Sequence, residues 1–142
     1  MTTTGYLSVT RKAIKAHLAS EAVVTAITTR IKSGRARKPT LPYIRISILP
    51  AADQHGIGFH GPIGRFVRVQ LDAVAKTQTG AEALMDAIMT VMDGAILTIT
   101  GWGTPRFEGY YGPYSNEEID KDVSHWRCLK RWKAVYSGQQ VT

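Results

Sequence analysis

Apolar residues along this chain change their spacing several times, and each change marks an element. Leu7, Arg11, Ile14 and Leu18 fall at the 3–4 spacing of one helix face, which predicts a helix over residues 6–18. Ser20 is placed to cap a second short helix reaching residue 27, with Val23, Val24 and Ile27 turned inward. The stretch SGRARKPTLP, broken by Gly and two prolines, reads as a basic loop. In YIRISIL the period falls to two: Ile44, Ile46 and Ile48 alternate with Arg45 and Ser47, the signature of a strand, and Pro50 ends it. The glycine-rich segment 51–64 follows and is expected to be a flexible connection at the tip of a long hairpin.

A second strand is predicted over residues 65–74. Val67, Val69, Leu71 and Ala73 share one face, and Arg68, Gln70 and Asp72 share the other. One face is therefore buried, and the other is wet or used. Ala81, Leu84, Met85, Ile88, Val91 and Met92 then restore helical spacing over residues 80–92, with Gly94 as the stop. Thr79 and Glu82 have the spacing of a capping box at its start. Burying each large side chain of that helix contributes about 1.5–3 kcal/mol, so the helix has to pack on the sheet.

A strand is expected near residues 102–111, then a polar loop over about 112–124, then a last strand over residues 125–137. On that last strand Trp126, Cys128, Trp132, Ala134 and Tyr136 share one side, interrupted by Lys130, and Arg127, Arg131 and Lys133 lie opposite. The order is αα–ββ–α–ββ. It predicts a single α+β domain over residues 1–142, with helices packed on one face of an antiparallel sheet of about four strands.

Length agrees with this picture: 142 residues is the size of one domain with a proper core. Cys128 is the only cysteine, so the chain has no internal disulfide and no cysteine-based zinc site. The first residues lack a secretory apolar core, and no run approaches the roughly 20 apolar residues of a membrane span. Charge adds more. The net charge is +7, and from Arg30 to Arg45 lie Arg30, Lys32, Arg35, Arg37, Lys38 and Arg45 with no acid among them. A second basic group is Arg127, Lys130, Arg131 and Lys133. The acids gather at Glu117, Glu118, Asp120 and Asp122. Such a division suits a polyanion or an acidic protein partner as well as it suits solvated faces.

Candidate chemistry is thin. GIGFHG (residues 56–61) has the letters of a dinucleotide loop, but Pro62, Gly64 and a strand follow it where a helix is required. AKTQTG lacks the glycine run of a phosphate-binding loop, and Glu82 would put negative charge where a phosphate would sit. His17, His55, His60 and His125 have no metal-ligand spacing, and His17 reads as a helix-surface residue. Asp120 and Asp122 lack the Gly and distal Glu of a calcium loop. Asp72 stands alone on its strand face, with Arg68 or Lys76 as expected partners, and forms no catalytic dyad. The reading is of a protein that is not an enzyme and takes no cofactor. Trp126 and Trp132 are expected in the core, and Tyr110 to Tyr114 as an interface patch.

One ordered set of residues adds to this. Arg30-Ile31, Pro42-Tyr43-Ile44, the strand from Arg68 to Asp72, Ala75 to Thr77, the helix start from Ala81 to Leu84 and the Asp93-Gly94 stop occur in that sequence. The set resembles the phage tail-completion family, the tail terminator or tail-to-head joining proteins of long-tailed phages and phage-like particles. The resemblance spans residues 7–136. Val74 stands where family members often have an aromatic, and Arg35 to Lys38 are basic where the family is often acidic or neutral.

The resemblance implies a ring of copies of this chain, usually a hexamer, on the last ring of the tail tube protein. Such a ring stops tube growth and presents a surface to a head-side connector or stopper protein. DNA passes through its channel without sequence recognition, and no membrane is involved. The implied location is the neck region of the virion tail, with assembly in the host cytoplasm. Candidate interface residues are Arg30, Arg35, Arg37, Lys38, Phe59, His60, Arg68, Gln70, Asp72, Glu117, Glu118 and Asp120. The alternative is a basic nucleic-acid-binding module using Arg35, Arg37, Lys38 and residues 130–133.

Overall fold

The computed structural model of the chain describes residues 6–33, 40–49, 53–54, 64–65, 67–99, 103–120 and 123–135. Helix α1 (Tyr6–Ser20) and the single turn α2 (Ala22–Thr25) lead into the short strand β1 (Ile31–Ser33) and then β2 (Tyr43–Leu49). Two-residue strands β3 (Asp53–Gln54) and β4 (Gly64–Arg65) pair with each other between β2 and β5 (Val67–Ala75). Helix α3 (Gln78–Met92) follows, then β6 (Arg106–Asp120) and β7 (Val123–Val135).

The main sheet has five strands in the order β1-β2-β5-β7-β6. It is antiparallel except for β1, which runs parallel to β2. The expected count of about four strands is therefore corrected by β1. Three residues are too few for alternation to show in the sequence. The predicted hairpin of the two middle strands is present, with β3 and β4 as its extension.

Both larger helices cover the same face. The alternation on β2 and β5 turns Ile44, Ile46, Val69, Leu71 and Ala73 toward them. Leu84, Met85, Ile88 and Met92 of α3 and Ile14 and Leu18 of α1 meet these residues in one core, joined from β6 and β7 by Phe107, Trp132 and Cys128. His17 belongs to this packing and not to the helix surface: its Nε2 lies 2.7 Å from the Val91 carbonyl oxygen and ties α1 to α3. Among the described residues, no helix is long and apolar enough to cross a membrane.

Local readings are corrected in three places. In α2 only Val24 is buried, whereas Val23 and Ile27 are exposed. The residue before that turn is Glu21, and the Ser20 hydroxyl donates to the His17 carbonyl. At α3 the cap is Thr77, whose hydroxyl accepts from the Gly80 amide at 3.0 Å. Thr79 is inside the helix, and Glu82 accepts from Gln78 and from Ser115 of β6 at 2.8 Å, so the helix starts two residues early. Thr77→Ala is expected to lower stability by about 1 kcal/mol. Thr79→Ala stays within about 0.5 kcal/mol. Urea titrations of the two variants check this, and equal losses would contradict the assignment.

The third correction is the largest. The expected polar loop after residue 111 is the body of β6. Gly112 and Pro113 signalled a turn, but they sit in a β-bulge on the edge strand, marked by register shifts between Gly109 and Tyr114. Proline is tolerated at a bulge or edge because no ladder donor is required there. Gly112 is held at φ +90°, and a Cβ on it would lie 2.7 Å from the Leu129 carbonyl oxygen, so only glycine fits. The acids beyond it alternate across the sheet as strand residues do. At the far end, Gly94 at φ +74° closes α3, and its amide donates to the Phe107 carbonyl at 2.8 Å.

Candidate functional site

Opposite the helices, the sheet presents a second face built by strand register. Arg45 of β2 pairs with Asp72 of β5, which pairs with Leu129 of β7, which pairs with Tyr114 of β6. The next row is Ser47, Gln70, Arg131 and Tyr111, and the one beyond it is Leu49, Arg68, Lys133 and Glu108. Residues paired across a sheet share a face. A charged surface therefore crosses four strands with no described helix on it.

Asp72 is its centre and is fully buried. Its Oδ2 accepts from Arg45 Nη2 at 2.6 Å and Nε at 3.0 Å, and its Oδ1 accepts from Gln70 Nε2 at 2.8 Å. Arg127 Nη1 lies 3.9 Å from the same carboxylate. The expected partners Arg68 and Lys76 are replaced by Arg45 and Arg127, which only the pairing of β2 and β7 with β5 brings near. Arg127 continues the network: its Nε is 3.6 Å from Glu118 Oε2, beyond hydrogen-bond reach, and Glu118 Oε1 is 3.1 Å from His125 Nε2. On the other side Gln70 Oε1 accepts from Arg131 Nε at 2.9 Å. The Arg131 guanidinium lies 4.7 Å from the Tyr111 ring centre, and Tyr111 is 5.0 Å from Tyr114. The bulge puts these two tyrosines, three residues apart, on one face.

Carboxylates and amide thus fix arginines in place, and water reaches only part of each guanidinium: the side chains of Arg45 and Arg127 are 25% and 22% exposed. Tyr43, beside them on β2, has its phenol pushed up by burial, an effect that the nearby Arg45 opposes, so it stays neutral. A preorganised charged plate of this kind gives orientation and specificity to a docking partner. Among the described residues, no group of His, Cys, Asp and Glu could hold a metal ion.

The sequence-predicted residues scatter around this face. Arg68, Gln70, Asp72 and Glu118 lie on it. Asp72 is corrected from a wet residue to a buried one. Arg30 serves the fold: its guanidinium donates to the carbonyls of Thr40, Leu41 and Pro42 at 3.0 to 3.2 Å. Glu117 points to the helix side, where it accepts from the Ser124 hydroxyl. Asp120 ends β6 opposite Val123. Arg35, Arg37, Lys38, Phe59 and His60 lie outside the described residues. Arg45 and Arg127 were missed as site residues, whereas Arg131 was offered only for nucleic acid and Tyr111 only within the expected tyrosine patch. Alternation put the two β7 arginines on one side, but only register with β5 joins them to Asp72.

On the helix side a cleft of about 310 Å³ lies between α3 and β6, lined by Glu82, Met85, Asp86, Pro113, Ser115 and Cys128. Burial pushes the Cys128 thiol up, away from the reactive thiolate. Lys130, offered for nucleic acid, is committed to Asp93 at 3.3 Å and to the Trp132 ring at 5.3 Å.

The class is thus a one-sided α+β sandwich: one sheet face packed by helices, the other a charge network that no helix covers among the described residues. The chain belongs to the tail completion protein gp17 family, whose model matches residues 12–128. It is a structural protein of the virion tail and not an enzyme, and it works beside other tail or head proteins. A solved structure shares the fold. It is a chain in the virion of a native gene transfer agent particle, with a TM-score of 0.65 and 14% identity, covering 93% of this chain and 97% of that one. A comparison with curated proteins finds no match.

Proposed function

We propose that copies of this chain form a ring, a hexamer in our reading, on the last ring of the tail tube. The ring stops tube polymerisation and offers the head-side connector a surface to join. The family match carries the reading, because residues 12–128 include most of α1, all of α3 and the charged face apart from Leu129, Arg131 and Lys133 of β7. The sheet itself supports it. A face whose Arg45 and Arg131 are already hydrogen-bonded to Asp72 and Gln70 needs little rearrangement on docking. DNA passes such a ring without being read, since these arginines are held by the protein's own acceptors. The same commitment of Arg131 and Lys130 leaves the nucleic-acid-binding module with less support.

Electron microscopy of particles assembled without this protein tests the reading. Overlong tails, or tails without heads, are the expected result. Tails of normal length joined to heads would overturn it.

A further inference from the structure

The sheet has two terminal strands, β1 and β6, and they differ in charge. From Gly109 to Asp120, β6 carries Glu117, Glu118 and Asp120 and no base. The β1 strand itself carries Lys32, exposed and on the charged face by register with Arg45, and no acid. A sheet edge is a row of unpaired amides and carbonyls that invites another strand, and proteins blunt such edges with bulges, prolines and charge. The bulge and Pro113 protect β6 only as far as Tyr114. From Ser115 to Asp120 the strand is regular, paired residue by residue with β7 on its inner side. Among the described residues no strand pairs with its outer side. Tyr114 and Ile119 at the two ends of this stretch are 56% and 73% exposed. Large apolar side chains at that level of exposure are typical anchors for a partner.

We infer that the Ser115–Asp120 edge of one copy joins the β1 edge of the next, continuing the sheet head to tail. The inference rests on the ring reading and names the two surfaces that close it. Pairing β6 with β6 would bring acids onto acids, and β1 with β1 would bring Lys32 onto Lys32; only β6 with β1 relieves both. Strand direction agrees. β1 is parallel to β2, and each later neighbour reverses, so β6 runs opposite to β1. Copies related by rotation about an axis along the strands would therefore meet in an antiparallel join. The contact is heterologous, and rotation closes it into a ring.

Charge reversal tests this. Lys32 of β1 and Asn116 of β6 are both exposed and, by register with Arg45 and Arg127, both on the charged face, so Lys32→Glu and Asn116→Lys leave the fold intact. Native mass spectrometry over a concentration series reads the assembled fraction, alone and with purified tail tubes. Each single variant is expected to need about tenfold more protein for half assembly, because like charges then face each other. An equimolar mixture of the two is expected to restore assembly in alternating order, since each mutated edge meets its complement. Ile119→Lys is expected to weaken assembly by a similar factor. A wild-type ring with single variants that assemble as it does, or a mixture no better than its components, overturns the edge assignment alone. A wild-type chain that is monomeric both alone and on tubes overturns the ring reading with it.

Discussion

Asp72→Ala is expected to lower the unfolding free energy by about 3–5 kcal/mol, the cost of breaking a buried ion pair by removing one partner. The carboxylate is fully buried, and its loss strands the guanidinium of Arg45 and leaves Arg127 with Glu118 alone. Partial exposure of both arginines lets water enter, which favours the lower end of that range. A chain of this size would lose about 10 °C in Tm. Asp72→Asn keeps the shape and an acceptor for Gln70 and is expected to cost about half as much, since hydrogen bonds to a charged group contribute about 1.5–3 kcal/mol. Urea denaturation of both variants measures the difference. A double cycle with Arg45→Met should show coupling of about 0.5–3 kcal/mol between the two sites. An Asp72→Ala loss under about 1 kcal/mol would mean that the network is solvated and does not order the face.

That residue also marks where reading the sequence stops. Alternation placed Asp72 on the face away from Leu71, which is correct, but alternation says only which way a side chain points. Whether it is wet depends on what stands beside it across the strands. The two guanidiniums that seal Asp72 come from residues 27 and 55 positions away along the chain, and register alone brings them together. The helices and the two middle strands were legible because their apolar periods are long and unbroken. The part of β6 beyond residue 111 was not, because Gly112, Pro113 and Asn116 have the chemistry of a turn, and tertiary pairing with β7 overrides it. This matters for function: an acidic loop became an acidic sheet edge. Glu118 became an internal partner of Arg127, and Glu117 was left on the opposite side. The resemblance found in the ordered motifs was the stronger guide to class, because Arg68 to Asp72 and Asp93-Gly94 are positions where the fold itself sets the residue.

Trp132→Ala is expected to be the most damaging single change in the core, at about 3–5 kcal/mol. The indole is fully buried, opposite Val69 on β5 and Gly109 on β6, and lies in the same cluster as the packed face of α3. Its Nε1 donates to Asp93 Oδ1 at 2.7 Å, just past the helix end, and Lys130 reaches the same carboxylate. Trp132→Phe fills most of the volume and loses only that hydrogen bond, for an expected cost of about 1–2 kcal/mol. Asp93→Ala should cost less still, because that side chain is about half exposed and water replaces it. The order of the three, read from urea titrations, separates volume from hydrogen bonding. Equal losses for Trp132→Ala and Trp132→Phe would show that the carboxylate, and not the packing, holds α3 to β7. The consequence reaches the other side of the sheet. Trp132 and Arg131 are neighbours on β7 with opposite orientations, so a strand loosened at the tryptophan no longer fixes Arg131 against Gln70 and Tyr111. Core packing on the helix side thus helps to hold the charged residues of β7 in register with those of β5.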